Sequence, residues 1–255
     1  MKIIQVDKSN LENEHICCAI GNDVVNSRRT DSKKEWMNKC FSDGLVFKKL
    51  NVRGKVFIEY TPIEKAWKPV TGKNYFFINC LWGSGQYKNK GYAKQLLNEC
   101  IVDAKKQKKD GVAVVTSTKT KPFLTDKKFY IKHGFETVDN ALSYFELLVL
   151  KFNKDAHDPA FTQTAKEGTC PNKNGFTIVY SNQCPFTEEY TDIMIDFAKR
   201  NNFKASKVKL ETYSDAQKIS SPFGTFGVYY NGKFETHEIL SDKRFEKLLT
   251  QIDKN

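Results

Sequence analysis

A glycine-containing loop at residues 82–93 (WGSGQYKNKGYA) is the segment best suited to bind a charged cofactor. It follows an apolar run at residues 75–81 and opens a helix whose apolar residues recur every three or four positions from Ala93 to Ala104. The free amides and positive dipole end of a helix N-terminus attract anions, and Gly91 has no Cβ to keep a phosphate oxygen off the backbone. The spacing therefore predicts a site for a nucleotide-like cofactor.

The spacing of residues in this loop narrows the class of cofactor that it could bind. It has neither the Gly-Lys-Ser/Thr ending of a P-loop nor the Gly-x-Gly-x-x-Gly of a dinucleotide fold. Lys88-x-x-Gly91-x-Ala93 resembles the Gln/Arg-x-x-Gly-x-Gly/Ala signature of the GNAT-superfamily N-acetyltransferases, with lysine in place of the usual first residue. The resemblance implies that these amides hold the pyrophosphate of acetyl-coenzyme A. The implied cofactor-binding residues are Leu81, Trp82, Gly83, Lys88, Asn89, Lys90, Gly91, Tyr92 and Ala93.

A second motif follows in the order of that family. After a buried β run at residues 111–116 comes a predicted helix at residues 123–133, with Gly134 in the C-cap position. Tyr130-x-x-x-Gly134-Phe135 resembles the family's Tyr-x-x-x-Gly-Phe segment, which implies that the Tyr130 hydroxyl faces the sulfur of coenzyme A. It would stabilise the leaving thiolate by a hydrogen bond, or act with a lowered pKa. The alternative is that Tyr130 only packs a helix face.

The resemblance also implies direct attack of an amine on the acetyl thioester, with both substrates bound and no acyl-enzyme. A backbone amide in the strand at residues 79–82 should bond the developing oxyanion, a contribution of about 3 kcal/mol. A carboxylate could accept the amine's proton, directly or through water. Glu59 is the candidate, although a strand glutamate is commonly just solvated, and Glu64 is a weaker one. Cys80 and His133 are expected to be a buried residue and a helix cap.

Cys184-Pro185-Phe186-Thr187 is a further chemical candidate, at the start of a predicted helix. A helix N-terminus lowers a thiol's pKa, so Cys184 is a possible reactive thiol. The motif resembles a one-cysteine glutaredoxin motif, in which Thr187 stands where a resolving cysteine would be. The order β-α-β-α-β-β-α over residues 176–254 resembles a thioredoxin-like fold, which implies a cis proline at Pro222. The alternative is a binding module without a reactive thiol.

The pattern predicts a mixed α/β protein of two domains: residues 1–152, a linker at 153–175 that lacks periodicity, and residues 176–255. The resemblances imply a GNAT acyl-CoA N-acyltransferase domain, with a splayed sheet for the pantetheine arm, followed by a small thioredoxin/glutaredoxin-like domain. This combination resembles the YoaP-like group of bacterial acetyltransferases. In the first domain we predict helices at 33–43 and after the loop, and strands at 46–50, 55–60, 75–81, 112–117, 135–138 and 143–152.

Composition narrows the partners. Of 41 basic and 30 acidic residues, 27 and 16 fall in residues 1–152, so the surplus of eleven lies there. A basic domain attracts polyanions, but this one lacks the aromatic and basic interleaving of nucleic-acid modules, which makes nucleic-acid binding a weaker alternative. Seven cysteines without a Cys-x-x-Cys pair argue against zinc and disulfides, so we expect no metal and a reducing compartment.

The N-terminus, residues 1–8, is too short and too charged for a signal peptide, and no apolar run is long enough to span a bilayer. We therefore expect a cytoplasmic, acetyl-coenzyme A-dependent N-acetyltransferase with no membrane partner. The acceptor amine and the oligomeric state stay open. The rival hypothesis is a thiol-redox or glutaredoxin-like binding protein that acts through Cys184.

Overall fold

The structure, a computed structural model, describes residues 1–142 and 144–252. Its strands are β1 (Ile3–Val6), β2 (Val46–Leu50), β3 (Val56–Pro62), β4 (Val70–Thr71), β5 (Tyr75–Gly83), β6 (Gly111–Ser117), β7 (Glu136–Ala141), β8 (Phe145–Lys151), β9 (Ala160–Phe161), β10 (Phe176–Tyr180), β11 (Ala205–Lys209), β12 (Phe226–Tyr230) and β13 (Lys233–Thr236). Its helices are α1 (Val24–Cys40), α2 (Tyr92–Lys106), α3 (Lys127–Ile131), α4 (Gln163–Glu167), α5 (Thr187–Arg200), α6 (Tyr213–Lys218) and α7 (Asp242–Ile252). None of the described helices is long and apolar enough to cross a membrane.

The N-terminal part of the chain, the residues of the predicted first domain (1–152), is built on a seven-stranded sheet in the order β1-β2-β3-β5-β6-β8-β7. Strands β5 and β6 are parallel, and the other neighbours are antiparallel. Helix α2 buries its apolar stripe against one face, and the buried residues are Leu96, Leu97, Cys100 and Ala104. Helix α1 covers the other face through Trp36 and Met37. The mixed α/β fold that the sequence predicts is therefore confirmed.

The sheet opens between β5 and β6. The two strands pair only through residues 75–78 and 111–114, and their last residues have no register with each other. On its other side β5 stays paired with β3 as far as Gly83, with an irregularity that leaves Asn79 between the pairs Glu59–Cys80 and Tyr60–Ile78. The result is a gap at the carboxyl ends of two parallel strands, beside the N-terminus of α2.

Residues 176–252, here called the C-terminal module, hold a four-stranded sheet in the order β11-β10-β12-β13. Strands β10 and β11 are parallel, and β12 runs antiparallel to both β10 and β13. The element order β-α-β-α-β-β-α is the predicted one. The last residues of the predicted domain, 253–255, lie outside the described part of the chain.

The segment predicted as a linker, residues 153–175, contains ordered elements. Strand β9 pairs with β4, and Phe161 and Ala165 are buried in a cluster with residues of the large sheet. Thr162 caps α4 by accepting the Ala165 N–H at 3.3 Å. Two buried apolar side chains and one cap are enough to fold a short stretch onto its neighbour, but they leave little periodicity to recognise.

Two predicted helices have different bounds. Helix α1 starts nine residues before the expected residue 33, because Asp23 caps it by accepting the Asn26 N–H at 3.0 Å. Helix α3 is shorter than predicted, because Asp126 caps it and accepts the Lys128 N–H at 2.8 Å. Ser143, the first residue of the last predicted strand in this domain, lies outside the described residues.

The expected cis proline at Pro222 is wrong, since the described residues contain no cis peptide bond. Pro222 stands at the second position of a β-turn that is closed by the Gly224 N–H donating to the Ser221 carbonyl at 2.8 Å. A trans proline with φ near −65° fits this position, whereas a cis proline belongs to the third.

The C-terminal module packs directly on the N-terminal part of the chain. Leu210 and Ala216 lie in the same buried cluster as Trp36 and Met37 of α1. At the edge of this contact, Arg29 Nε donates to Glu189 at 2.6 Å. The two parts therefore share a continuous apolar core.

A buried histidine makes the contact between the two parts sensitive to acid. His237 Nε2 donates to the Pro122 carbonyl at 3.0 Å, and its Nδ1 accepts from the Tyr144 hydroxyl at 2.8 Å. Burial lowers the pKa of His237 to about 4. Between about pH 6.5 and pH 4 the unfolded chain binds a proton at this histidine that the folded chain does not. The free energy of unfolding should therefore decrease by up to about 3 kcal/mol as the pH is lowered through this range.

Urea unfolding at several pH values checks this expectation. His237→Gln should remove that part of the pH dependence, whereas the same change at the exposed His157 should leave it intact. Equal pH slopes in the two variants would contradict the assignment.

Candidate functional site

The predicted phosphate loop has the conformation of an anion site. Gly91 precedes α2 in the left-handed region, with φ 79°, and a Cβ built there would meet no atom within 4 Å. The first helical bond runs from the Gln95 N–H to the Gly91 carbonyl at 3.1 Å, so the amides of the first turn, at residues 92–94, have no partner within the helix. Gly91 occupies the N-cap position and has no side chain that could accept hydrogen bonds from these amides. The backbone is thus open where an anion would sit.

The other predicted cofactor residues surround this opening. Lys88, Asn89 and Lys90 are exposed, and Asn89 has a positive φ of 60°. Tyr92 and Ala93 form the first turn of α2 and are half-buried. At the end of β5, Leu81 is buried, Trp82 is exposed and Gly83 is half-buried, which completes the set.

The gap between β5 and β6 leads to Tyr130. A small cavity of about 30 Å³ there is lined by Asn79, Leu81, Val115, Thr125 and Tyr130, among others. Tyr130 is 1 % exposed and is hydrogen-bonded to the Thr125 side chain, whose Oγ1 donates to the Leu81 carbonyl at 3.0 Å. The structure therefore brings Tyr130 to the end of the predicted cofactor strand.

The option of a lowered Tyr130 pKa is wrong in direction. Burial raises the pKa of the Tyr130 hydroxyl well above its usual value, because the phenolate would lose its hydration. The hydroxyl therefore stays protonated at physiological pH and can only donate or accept hydrogen bonds as a neutral group.

Glu59 is not the solvated strand residue that its position suggests. Its side chain on β3 is fully buried and forms an ion pair with Lys33 of α1, which is 3 % exposed. Gln183 Nε2, from the C-terminal module, donates to its other oxygen at 3.0 Å. The Lys33 ammonium also lies 4.2 Å from the centre of the Trp36 ring. Both carboxylate oxygens are thus held by protein groups.

A second cavity of about 280 Å³ lies where the two parts of the chain meet. The N-terminal part of the chain contributes Cys18, Lys55, Glu59 and Cys80 to its wall, and the C-terminal module contributes residues 183–187. Lys68, Asn79, Cys80 and Trp82 line both cavities, so the two adjoin. The larger cavity is the place from which a second substrate could reach the gap.

Sequence reasoning did not identify two residues at this junction. Lys68 is 4 % exposed, and its ammonium donates to the Phe223 carbonyl and lies 4.2 Å from that residue's ring centre. Burial lowers the pKa of Lys68 to about 8. Both side-chain polar atoms of Asn79 are buried and have no hydrogen-bond partner in the part of the chain that the structure describes. A polar residue inside the apolar run 75–82 was the available signal for Asn79, whereas one lysine among many gave none for Lys68.

Cys184 lines the larger cavity, but its predicted acidity is wrong. Burial raises the pKa of the Cys184 thiol, although a backbone hydrogen bond from Phe186 acts in the opposite direction. The physical reason is that α5 begins only at Thr187, so the thiol lies ahead of the helix end and in an apolar wall. All seven cysteines are free.

The other candidates are placed as follows. His133 Nδ1 is hydrogen-bonded to the Phe129 carbonyl at 2.7 Å, as a residue at a helix end would be. Cys80 is half-buried and lines both cavities, and burial raises the pKa of its thiol. Glu64 Oε1 accepts the Asn74 N–H at 2.7 Å, away from both cavities. Within the described residues there is no cluster of His, Cys, Asp and Glu that could hold a metal.

Comparison with known proteins gives a family model that matches part of the chain and a relative that matches nearly all of it. A family model described as YoaP-like matches residues 205–247. The uncharacterised N-acetyltransferase YoaP of Bacillus subtilis (strain 168) is 40 % identical over 252 residues, which cover 99 % of this chain and 100 % of that protein.

Solved structures resemble part of the chain. The PaiA N-acetyltransferase of Thermoplasma acidophilum, in complex with coenzyme A, is 19 % identical and covers 60 % of this chain and all of its own, with a TM-score of 0.41. The ribosomal-protein-alanine N-acetyltransferase of Brucella melitensis is 15 % identical with the same coverage and a TM-score of 0.43. Because the two sequences are 40 % identical over nearly their full lengths, this chain belongs to the YoaP-like N-acetyltransferases.

Proposed function

We propose that the protein transfers the acetyl group of acetyl-coenzyme A to a small amine by direct attack, with both substrates bound. The observation that carries this proposal is the open, left-handed Gly91 at the N-terminus of α2, beside the gap between β5 and β6. A pyrophosphate on the first-turn amides would let the pantetheine arm enter the gap and bring the thioester towards Tyr130.

The chemistry proposed for the gap is electrostatic. Beyond Ile78, β5 no longer pairs with β6, so amides on that edge of residues 79–82 are free to bond the thioester oxygen as it becomes anionic. The leaving thiolate would accept a hydrogen bond from the Tyr130 hydroxyl, which burial keeps protonated. Proximity and these two sets of donors would supply most of the rate.

Glu59 is proposed to accept the amine's proton, directly or through water. The Glu59 carboxylate is paired with Lys33, and carboxylates are weak bases in general. The nitrogen becomes strongly acidic once it has bonded to the thioester carbon, so a weak base is sufficient at that stage. Its position in the wall of the larger cavity supports this role.

The C-terminal module is proposed to be a thioredoxin-like fold that bounds the acceptor cavity. The sheet order β11-β10-β12-β13, with one parallel pair, supports the fold. Redox chemistry is not proposed, because burial raises the pKa of Cys184 and the Thr187 hydroxyl donates to the Ser181 and Cys184 carbonyls instead of offering a second thiol.

Calorimetry with acetyl-coenzyme A tests the cofactor site through an isosteric pair of variants. Gly91→Asp and Gly91→Asn both place a side chain in the same left-handed position, which Asn and Asp tolerate, and they differ in one charge. We expect the Gly91→Asp variant to bind acetyl-coenzyme A at least about tenfold more weakly than the Gly91→Asn variant, because a negative charge near the pyrophosphate costs more than about 1.4 kcal/mol of binding free energy. Equal affinity would place the pyrophosphate elsewhere.

A further inference from the structure

We infer that the acceptor is a small zwitterionic amine, one that carries a single anionic group, carboxylate or phosphate, close to the reacting nitrogen. This inference rests on the proposed acetyl transfer and concerns the larger cavity alone. Three features of that cavity support it: the charges in its wall, the unpartnered side-chain amide of Asn79 and its volume.

The wall of the cavity has an excess of positive charge. Its charged residues are Lys33, Lys55, Glu59 and Lys68. Lys33 and Glu59 neutralise each other in their buried ion pair. Among the described residues, no carboxylate lies within salt-bridge distance of Lys55 or Lys68. Within the described residues, two lysines therefore face the cavity without a direct ion-pair partner, and Glu59 attracts Lys68 without pairing with it.

A buried ammonium without an anion is costly, and the protein shows this cost at Lys68. Within the described residues its ammonium has the Phe223 carbonyl and ring as direct partners, and burial outweighs the attraction of Glu59 and lowers the pKa of Lys68 to about 8. An anionic group on a bound acceptor would supply the missing partner and raise the pKa of Lys68 again. Lys55, half-buried on the same wall, could share that group or hold it at the mouth.

Asn79 supplies the contact for the other end of the acceptor. Its side-chain amide is buried and has a free donor and a free acceptor at the irregularity of β5. The carbonyl oxygen can accept from an amine N–H, and the NH₂ group can donate to an anionic oxygen. Because Asn79 and Lys68 both line the junction of the two cavities, the anion and the reacting nitrogen must lie close together.

The same features exclude other amines. A second ammonium on the acceptor would meet two lysines rather than a free carboxylate, so polycationic amines are disfavoured. A volume of about 280 Å³ is at the lower end for small-molecule sites and suits a compound of amino-acid size.

Matched pairs of amines that differ in the anionic group test the inference. Coenzyme A release is measured with methionine against 3-(methylthio)propylamine, phenylalanine against phenethylamine, and O-phosphoethanolamine against ethanolamine. In at least one pair the anionic member should have a kcat/KM about tenfold to a hundredfold higher, as for a charge-assisted hydrogen bond. The third pair distinguishes a phosphate from a carboxylate.

Lysine variants connect the preference to the cavity wall. Lys55→Met and Lys68→Met should each reduce this preference at least about fivefold. Lys55→Met, whose lysine lines the larger cavity and not the gap, should also leave the KM for acetyl-coenzyme A unchanged, and it keeps the experiment informative if the Lys68 variant does not fold. Lys73→Met, at an exposed lysine outside this cavity, is the matched control.

Three outcomes would overturn the inference: equal or better use of the amines without the anion, a raised KM for acetyl-coenzyme A in Lys55→Met, or no turnover of any zwitterion by a protein that binds acetyl-coenzyme A. Failure of the proposed function gives a different result, since calorimetry would then show no binding of acetyl-coenzyme A.

Discussion

Glu59→Gln is expected to lower the free energy of unfolding by about 3–5 kcal/mol, although the side chain keeps its size. The cause is Lys33, whose ammonium would remain buried beside the Trp36 ring without its ion-pair partner. Guanidinium unfolding at pH 7 measures the loss. An ion pair in water would not behave in this way, since exposed pairs contribute about 0.5 kcal/mol or less.

Two further variants separate the ion pair from simple loss of a side chain. The double variant Lys33→Met, Glu59→Gln removes both charges and should recover a large part of the loss. Glu35→Gln breaks the exposed pair with Lys39 on the same helix and should change little. If Glu59→Gln cost no more than Glu35→Gln, the buried pair would not be the stabilising unit described here.

Tyr130→Phe is expected to lower kcat on the order of a hundredfold and to leave the KM for acetyl-coenzyme A nearly unchanged. The change removes one oxygen from a fully buried side chain, and the proposed hydrogen bond to the thiolate exists only late in the reaction. Because burial raises the pKa of Tyr130, the wild-type rate should show no loss from ionisation of this hydroxyl up to about pH 10.

Tyr75→Phe is the matched control for this prediction. Tyr75 is also fully buried, and it starts β5 at the end away from the gap. Its hydroxyl has no hydrogen-bond partner among the described residues. Its loss should leave kcat as it is. Equal turnover in the two variants and the wild type would reduce Tyr130 to a packing residue.

The elements around the cofactor loop could be predicted because their signals are local. The spacing of apolar residues in α2 and the glycine before it lie within one stretch of sequence, and the structure has both in place. The environment of Glu59 could not be predicted, because it depends on Lys33 and on Gln183, which is 124 residues away. Alternation along a strand says which face a residue takes and not what covers that face.

Other differences have the same physical origin. The segment 153–175 folds because two apolar residues find a distant sheet, and Pro222 is trans because its turn places it second and not third. Lys68 is buried by the Phe223 loop of the C-terminal module, a contact that no local pattern around Lys68 indicates. Local pattern predicts elements, while the walls of a cavity are made by contacts between elements.

The apolar contact of Leu210 and Ala216 with α1 has a consequence for how such a protein can change over generations. A substitution in the C-terminal half reaches the interior of the N-terminal half, so neither half is free to accumulate neutral changes on its own. A gene that lost its second half would encode a protein with exposed apolar side chains around Trp36. Such a protein would aggregate in the cell. The two halves should therefore be inherited and lost together, and calorimetric melting should show them unfolding in one transition.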